Sequence, residues 1–140
     1  MNKNPKLLLD THVWVHYINA TPGLRAEAIR AIDKALVSGS VFISVISIWE
    51  VALLVRLRRL TLHTSVSQWT EQAVELPGTS LIAFTPEIAI DSVDLPAPML
   101  KDPSDRILVS TARIERLTLL TRDRDILAFA EATKLACMQA

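Results

Sequence analysis

The stretch LLLDTHVW at residues 7–14 decides the fold. Lys6–Leu9 is a short apolar run that ends at Asp10, which is typical of a buried β-strand. The apolar segment His12–Ile18 that follows predicts a short helix packed against this strand. A strand that passes directly into a helix is the first half of a crossover between parallel strands, so we expect the unit to recur along the chain.

The same unit recurs outward from this stretch. Further apolar strands are predicted at Val41–Ser44, Leu81–Phe84 and Thr118–Thr121, with a candidate fifth at Lys134–Met138. Helices are predicted at Arg25–Val37, Ile46 to about Leu60, Ser65–Leu76, Pro86–Val93, Pro103–Arg116 and Asp123–Ala130. Short apolar strands separated by helices predict an α/β fold, a three-layer α/β/α sandwich around a mainly parallel sheet of four or five strands.

Composition limits the class of protein. The chain of 140 residues has zero formal net charge, is 50% hydrophobic and contains one cysteine, Cys137. Its length predicts a single domain over residues 1–140 that needs no disulfide or structural metal to stabilise its core. No span reaches about 18 uninterrupted apolar residues, and the N-terminal pattern is not that of a secretory leader. These features favour a cytoplasmic protein that does not cross a membrane.

Four carboxylates occupy the ends of strands or the beginnings of helices. Asp10 follows the first strand and Asp123 the fourth, while Glu50 and Asp105 lie near the beginnings of two helices. In open parallel sheets, ligands bind beyond the carboxyl ends of the strands, so these acids are expected to converge there. Converging carboxylates repel one another unless they are protonated or neutralised by a cation. Because the ligands are oxygen atoms alone, Mg²⁺ or Mn²⁺ is the expected ion.

Such a cluster suits the hydrolysis of a phosphodiester bond. A divalent ion makes a bound water molecule a better nucleophile near neutral pH and offsets the charge on the phosphate oxygens. A neighbouring carboxylate could assist the deprotonation of that metal-activated water. The residues alone therefore indicate metal-assisted hydrolysis at this edge of the sheet.

Four blocks of the sequence resemble those of PIN-domain proteins. These are LLLDTHVW at 7–14, SVISIWEVALL at 44–54, KDPSDRILVSTA at 101–112 and LTLLTRDRDI at 117–126. The chain is most similar to the VapC-type toxins of bacterial toxin–antitoxin pairs. This resemblance implies that Asp10, Glu50, Asp105 and Asp123 bind Mg²⁺ or Mn²⁺ and that the protein is an endoribonuclease leaving 5′-phosphate and 3′-hydroxyl ends. It also implies a small VapB-like antitoxin that blocks the site, and a homodimer of the toxin.

Several of the acids also have structural interpretations that stay open. Glu50 lies in an apolar helix, where a partner such as an arginine would satisfy its carboxylate. Asp102 is expected to cap the helix that follows it, and Asp105 fits either the reciprocal capping position or a metal ligand. Asp123 competes with Asp125 for the fourth ligand position, and it fits the N-cap of the last helix as well.

The neighbours of these acids have two interpretations each. Asp10 itself fits an ordinary turn after a strand. Thr11 and Thr121 could hold a carboxylate or a metal-bound water, or they could be β-branched residues that simply end a strand. Arg106 could contact phosphate, although a structural pair with Asp102 is the favoured interpretation.

Other residues whose side chains could bind a metal or stack on bases are expected to be structural. His12 and His16 have the spacing of a zinc pair on a helix, but no third imidazole lies nearby in the sequence, so packing or surface exposure is favoured. Trp14, Trp49 and Trp69 lie among aliphatic residues at helical positions. They are therefore interpreted as core side chains and not as platforms for stacking bases.

Three arginines, Arg56, Arg58 and Arg59, lie at the C-terminal end of the helix predicted from Ile46. Cations there suit the negative end of the helix dipole, so a solvated helix end is the simpler interpretation. A role in steering RNA or in contacting an antitoxin is the alternative.

Other classes of α/β protein fit less well. A dinucleotide-binding enzyme needs a glycine-rich turn after its first strand, and the chain has three scattered glycines. A haloacid-dehalogenase-like phosphatase needs a second acid where this chain has His12. The remaining alternative to a ribonuclease is a PIN-like fold that binds RNA or protein without catalysis.

Overall fold

Strand β1 (Leu7–Leu9) lies at the centre of a five-stranded parallel sheet in a computed structural model of the protein, which describes residues 4–140. Its neighbours are β2 (Val41–Ser44) and β4 (Thr118–Thr121), and the edges are β3 (Thr79–Ile82) and β5 (Cys137–Gln139). The order is β3-β2-β1-β4-β5. The leucines of β1 are fully buried, because helices cover both faces of a parallel sheet.

Helices form the two outer layers. In the described part of the chain they are α1 (Thr11–Asn19), α2 (Ala26–Val37), α3 (Val45–Arg56), α4 (Val66–Val74), α5 (Pro86–Val93), α6 (Pro103–Glu115) and α7 (Arg124–Thr133). Leu7 and Leu9 of β1 pack into one core with α1, α2 and α4, whereas Leu8 packs into a second core with α6 and α7. The predicted three-layer α/β/α sandwich is confirmed.

Helix beginnings are aligned with the carboxyl ends of the strands. Helices α1, α3 and α7 begin within three residues after β1, β2 and β4, respectively. Asp10, Ser44 and Asp123 are their N-caps, and each side chain accepts a hydrogen bond from a backbone N–H in the first turn. The fold therefore gathers several helix N-termini, with their capping acids, along one edge of the sheet.

The predicted positions of strand β3 and of the end of helix α3 are wrong. Strand β3 begins at Thr79, two residues before the predicted Leu81–Phe84, since an edge strand can be half-exposed and need not be apolar. Helix α3 ends at Arg56 and not near Leu60, because Arg58 adopts a left-handed backbone conformation with φ of 57°. The other elements match their predicted positions to within a few residues.

The tryptophans divide between core and surface. Trp14 and Trp69 are buried and contact each other edge to face, with ring centroids 4.8 Å apart, so their interpretation as core residues is confirmed. The interpretation of Trp49 is wrong, because its side chain is 57% exposed on α3. Helix α3 is apolar on more than one face, and therefore the pattern alone does not identify its buried side.

Across residues 4–140, no helix combines the length and apolar content needed to span a membrane.

Gly78 permits a close approach between α2 and the beginning of β3. Its φ is +93°, and a Cβ built on it would lie 2.0 Å from the carbonyl oxygen of Leu36. We therefore expect Gly78→Ala to lower the free energy of unfolding in urea by several kcal/mol, well above the about 1–2 kcal/mol for a left-handed backbone alone.

Gly39→Ala is the matched control for this prediction. Gly39 also has a positive φ, +67°, but a Cβ there would meet no atom within 4 Å among the described residues. Equal losses of stability in the two variants would contradict the steric explanation.

Candidate active site

The four acids singled out in the sequence reach the same edge of the sheet from four chain segments. Asp10 follows β1, and Asp123 follows β4 as the N-cap of α7. Glu50 is the sixth residue of α3, and Asp105 is the third residue of α6. Each acid lies in or directly before the first two turns of a helix, where the backbone N–H groups favour negative charge.

Asp10 is the most buried of these carboxylates. Its Oδ1 accepts a hydrogen bond from the Thr11 backbone N–H at 2.7 Å, and its Oδ2 accepts one from the Thr121 hydroxyl at 2.6 Å. The residue is only 5% exposed. Burial raises the pKa of Asp10 above its ordinary value, while the bonds from Thr121 and Thr11 act in the opposite direction.

Thr11 holds the second acid. The Thr11 hydroxyl donates to Oε1 of Glu50 at 2.7 Å and lies 2.9 Å from the Ser47 hydroxyl. Burial raises the pKa of Glu50, and the charge of Asp10 adds to this effect. The structural alternative for Glu50, a pair with an arginine, is not observed: among the described residues its partner is the Thr11 hydroxyl.

Asp105 shows most clearly that the carboxylates share one site. Burial and then the negative charges of Asp102, Asp123, Asp10 and Glu50, in that order of importance, together raise its pKa to about 8. Such an effect requires these groups to be close, because charges separated by solvent are screened within about 8–10 Å. The acids therefore lie near one another at this edge of the sheet.

The donor set fits a hard divalent cation. Its ligand atoms are carboxylate oxygens, with the Thr11 and Thr121 hydroxyls beside them, and this chemistry matches Mg²⁺ or Mn²⁺. Within residues 4–140, no group of three or more His, Cys, Asp or Glu side chains is spaced to hold an ion directly. Asp10 and Glu50 each accept a hydrogen bond from a threonine hydroxyl, which fixes the direction of their carboxylates.

Asp123 is an N-cap and also lies beside Asp10. Its Oδ1 accepts from the Ile126 backbone N–H at 3.0 Å, which makes it the N-cap of α7. It also lines a cavity of about 250 Å³ together with Asp10. Asp125 is exposed in the first turn of α7 and does not line this cavity. Of the two competing aspartates, Asp123 is thus the one beside Asp10.

The favoured pairing of Arg106 with Asp102 is wrong. The Arg106 guanidinium donates to the carbonyl oxygens of Ser92 and Val93, at 3.0 and 3.3 Å, at the end of α5. These carbonyls lack partners within their own helix, which explains why they attract a cation. Asp102 accepts instead from the backbone N–H and the hydroxyl of Ser104, so its predicted role as an N-cap is confirmed.

Sequence reasoning missed Arg122. It lines the cavity of about 250 Å³ together with His12 and His16, beside Asp10 and Asp123. His16 is tied to Thr21 by a hydrogen bond of 2.7 Å at Nδ1, and burial followed by the charge of Arg122 lowers the pKa of His16. Its position in the sequence could have identified it, since Arg122 lies between the end of β4 and Asp123, the acid that caps α7.

The comparisons with known proteins agree with this architecture. Residues 7–133 match the family model of the PIN domain. The chain is 32% identical over 118 residues to Ribonuclease VapC22 of Mycobacterium tuberculosis, covering 84% of this chain and 87% of the relative.

Solved structures resemble the chain as well. A toxin–antitoxin complex from Klebsiella pneumoniae is 26% identical, with a TM-score of 0.59 over 87% of this chain and 90% of that one. VapBC2 from Rickettsia felis, bound to a DNA fragment from its promoter, has a TM-score of 0.69 over 95% of this chain and 97% of that one. At 17% identity the second likeness shows the fold alone.

The raised pKa of Asp105 predicts a pH-dependent effect on stability. Because the folded state favours the neutral carboxyl, its contribution is greatest at acidic pH and is lost as the pH rises from 3.8 to about 8. Asp105→Asn stays neutral throughout. We therefore expect it to be more stable than the wild type near pH 8, on the order of 2 kcal/mol after allowance for solvent screening.

Urea unfolding at about pH 4 and about pH 8 in EDTA measures this difference. The control is Asp125→Asn, which changes an exposed aspartate on α7. An Asp105→Asn effect that does not grow with pH would contradict the crowding of negative charge at this carboxyl.

Proposed function

The chain belongs to the PIN domain family, and from this premise we propose that it is a metal-dependent endoribonuclease, the toxin component of a type II toxin–antitoxin pair. The observation that carries the proposal is the crowding of four carboxylates, which contributes to a pKa of about 8 at Asp105. Such crowding destabilises a fold unless a bound cation neutralises the carboxylates. The substrate is assigned as RNA because the relative at 32% identity is named a ribonuclease.

In this proposal Asp10, Glu50, Asp105 and Asp123 hold Mg²⁺ or Mn²⁺. When bound, the cation supplies Lewis acidity that activates water and offsets the charge on the phosphodiester oxygens. The protein's own part is to hold the carboxylates in position. Thr121 fixes Asp10 through Oδ2, and Thr11 fixes Glu50 through Oε1, so two of the acids are oriented by hydroxyls that are themselves fully buried.

Asp105 is the acid that we assign to proton transfer. Among the four, it is the one for which the described contacts include no hydrogen bond from a protein donor to the carboxylate. Its carboxylate could therefore place one oxygen on the cation and the other near the attacking water. Its carboxylate would accept a proton from the attacking water, and the hydrolysis would leave a 5′-phosphate and a 3′-hydroxyl.

The proposal includes two protein partners, a VapB-like antitoxin and a second copy of the chain. Helix α3 supports such contacts, because Trp49, Leu53 and Leu57 recur every four residues at its end and are 57%, 38% and 50% exposed. An apolar stripe of this kind marks a protein interface more often than a solvated surface. A similar solved structure at 26% identity is a toxin–antitoxin complex.

Replacement of Asp10 tests the proposed reaction. In Mn²⁺ the full-length wild type is expected to cleave single-stranded RNA, and EDTA is expected to abolish cleavage. Asp10→Asn should lower the rate by at least about 100-fold, since loss of a ligand should cost at least as much as loss of a group that orients one. Gel analysis of labelled RNA, with end-group analysis of the products, measures both effects.

Asp94→Asn, which changes an exposed aspartate at the end of α5, is the control and should cleave normally. Binding of Mn²⁺ measured by calorimetry separates the two candidate functions. Cleavage that persists in EDTA and in Asp10→Asn would contradict the metal mechanism. A wild type that neither cleaves RNA nor binds Mn²⁺ through Asp10 would favour the non-catalytic binding module.

Thr121→Val tests whether the buried hydroxyl positions Asp10. The substitution keeps the shape of the side chain but removes the 2.6 Å hydrogen bond to Oδ2. We expect a loss of about 10–100-fold in Mn²⁺ affinity or in kcat/KM. Thr111→Val, which removes a buried hydroxyl bonded to the carbonyl of Ile107, is the control for lost stability. Equal effects in the two variants would refute a positioning role.

A further inference from the structure

A cavity that contains an arginine and two histidines adjoins the acid cluster. The cavity of about 250 Å³ is lined by two of the acids, Asp10 and Asp123, and by three nitrogen-bearing side chains, His12, His16 and Arg122. Its volume is below the about 300–1,000 Å³ of pockets that enclose a whole small ligand. The cavity therefore suits one group of a longer molecule that continues beyond it.

Arg122 is held in this cavity by the loop between α1 and α2. Gly23 in that loop has φ of +131°, and a Cβ built there would lie 3.1 Å from Nη1 of Arg122 and 3.6 Å from Cε1 of His16. The missing side chain at Gly23 thus leaves the space that the guanidinium occupies. Thr21 of the same loop bonds to Nδ1 of His16, so the loop contacts both His16 and Arg122.

The charge of Arg122 is not used within the protein. In the part of the chain that the structure describes, the ion pair present joins Arg113 to Asp91, and Arg122 forms none with the acids beside it. An arginine that is packed in place next to carboxylates, without pairing with them, is available to an external anion. Its planar fork can make two hydrogen bonds to a single phosphate group.

We propose that Arg122, His12 and His16 form a subsite that binds a backbone phosphate of the RNA strand next to the phosphodiester that is cleaved. The inference rests on the proposed ribonuclease function and adds how the substrate is held. RNA is a polyanion, and an edge with four carboxylates repels every phosphate except the one neutralised by the cation. The positive charge of Arg122 beside the acids offsets this repulsion for the neighbouring phosphate, and the subsite sets the register of the strand.

A second cavity indicates the direction of the strand. It measures about 570 Å³, shares His12 and His16 with the first cavity, and is lined by Arg59 just beyond the end of α3. Arg56 and Arg58 do not line it. The proposed strand therefore runs from the acids past the two histidines to Arg59, and this arginine is the member of its group assigned to RNA.

Arg122→Gln tests the subsite, with Arg124→Gln as the matched control. Both residues are exposed and lie two positions apart, but Arg124 does not line the cavity. In Mn²⁺, we expect Arg122→Gln to raise the KM for single-stranded RNA about tenfold with a smaller change in kcat. The slope of log(kcat/KM) against log[KCl] should become shallower by about 0.7, the value for one phosphate contact on a single strand. Arg124→Gln should match the wild type.

Two further variants separate charge from geometry. Arg122→Lys should keep the salt slope, because the charge remains, while its KM stays raised, because lysine lacks the planar fork. Gly23→Ala should raise KM by less than Arg122→Gln does, since a Cβ 3.1 Å from Nη1 would shift the guanidinium without removing it. Thermal unfolding followed by circular dichroism verifies that each variant is folded. Anisotropy of labelled RNA in EDTA measures binding without cleavage.

The outcomes distinguish this inference from the function on which it rests. A wild type that cleaves RNA, with equal KM and salt slope in Arg122→Gln and Arg124→Gln, overturns the subsite and leaves the ribonuclease intact. A loss in kcat alone also overturns it, because a phosphate contact acts on binding. A wild type that neither cleaves nor binds RNA overturns the proposed function and the subsite together.

Discussion

The hydrogen bond from the Thr121 hydroxyl to Asp10 connects the ends of two neighbouring parallel strands. It lies where burial makes an ionised carboxylate unfavourable. Both residues are buried, and the carboxylate has its second oxygen on the backbone N–H of Thr11. Without these donors, a carboxylate at this depth would have to become neutral or leave the interior. Glu50 is connected to the same place through Thr11, whose backbone N–H bonds to Asp10 and whose hydroxyl bonds to Glu50, so the position of two acids depends on this junction of β1 and β4.

Hydrophobic burial in the sheet offsets the repulsion among the acids. Like charges that approach one another oppose folding, as the raised pKa of Asp105 indicates. The opposing contribution comes from hydrophobic burial, since Leu7, Leu8 and Leu119 of the central strands are completely inaccessible to solvent. Arg106 adds a further constraint, because its bonds to the end of α5 fix the helix that carries Asp105. The buried leucines of the central strands thus stabilise the fold, while the acids at the ends of the same strands oppose it.

Much of the fold and of the acid cluster could be predicted because both depend on local patterns. Central parallel strands are buried on both faces, which leaves continuous apolar runs such as Leu7–Leu9, and an acid after such a run can be located by counting. The half-exposed edge strand β3 and the exposed Trp49 leave no comparable pattern.

The sequence does not reveal contacts that depend on the approach of distant segments. Arg106 has its partners in α5, more than ten residues away, and Arg122 occupies space left by Gly23 in another loop. Neither relation follows from spacing along the chain, because both are set by how the layers pack.

The strand order also has a consequence for the time at which the site comes into existence. Thr121 and Asp10 are 111 positions apart, and β1 receives its neighbour β4 only after most of the chain has been made. During translation, the N-terminal region emerges first, and it carries Asp10 without the threonine that orients it. A partial polypeptide that stops before β4 therefore lacks the assembled acid edge. For the proposed ribonuclease, this topology postpones assembly of the acid edge until synthesis is nearly finished.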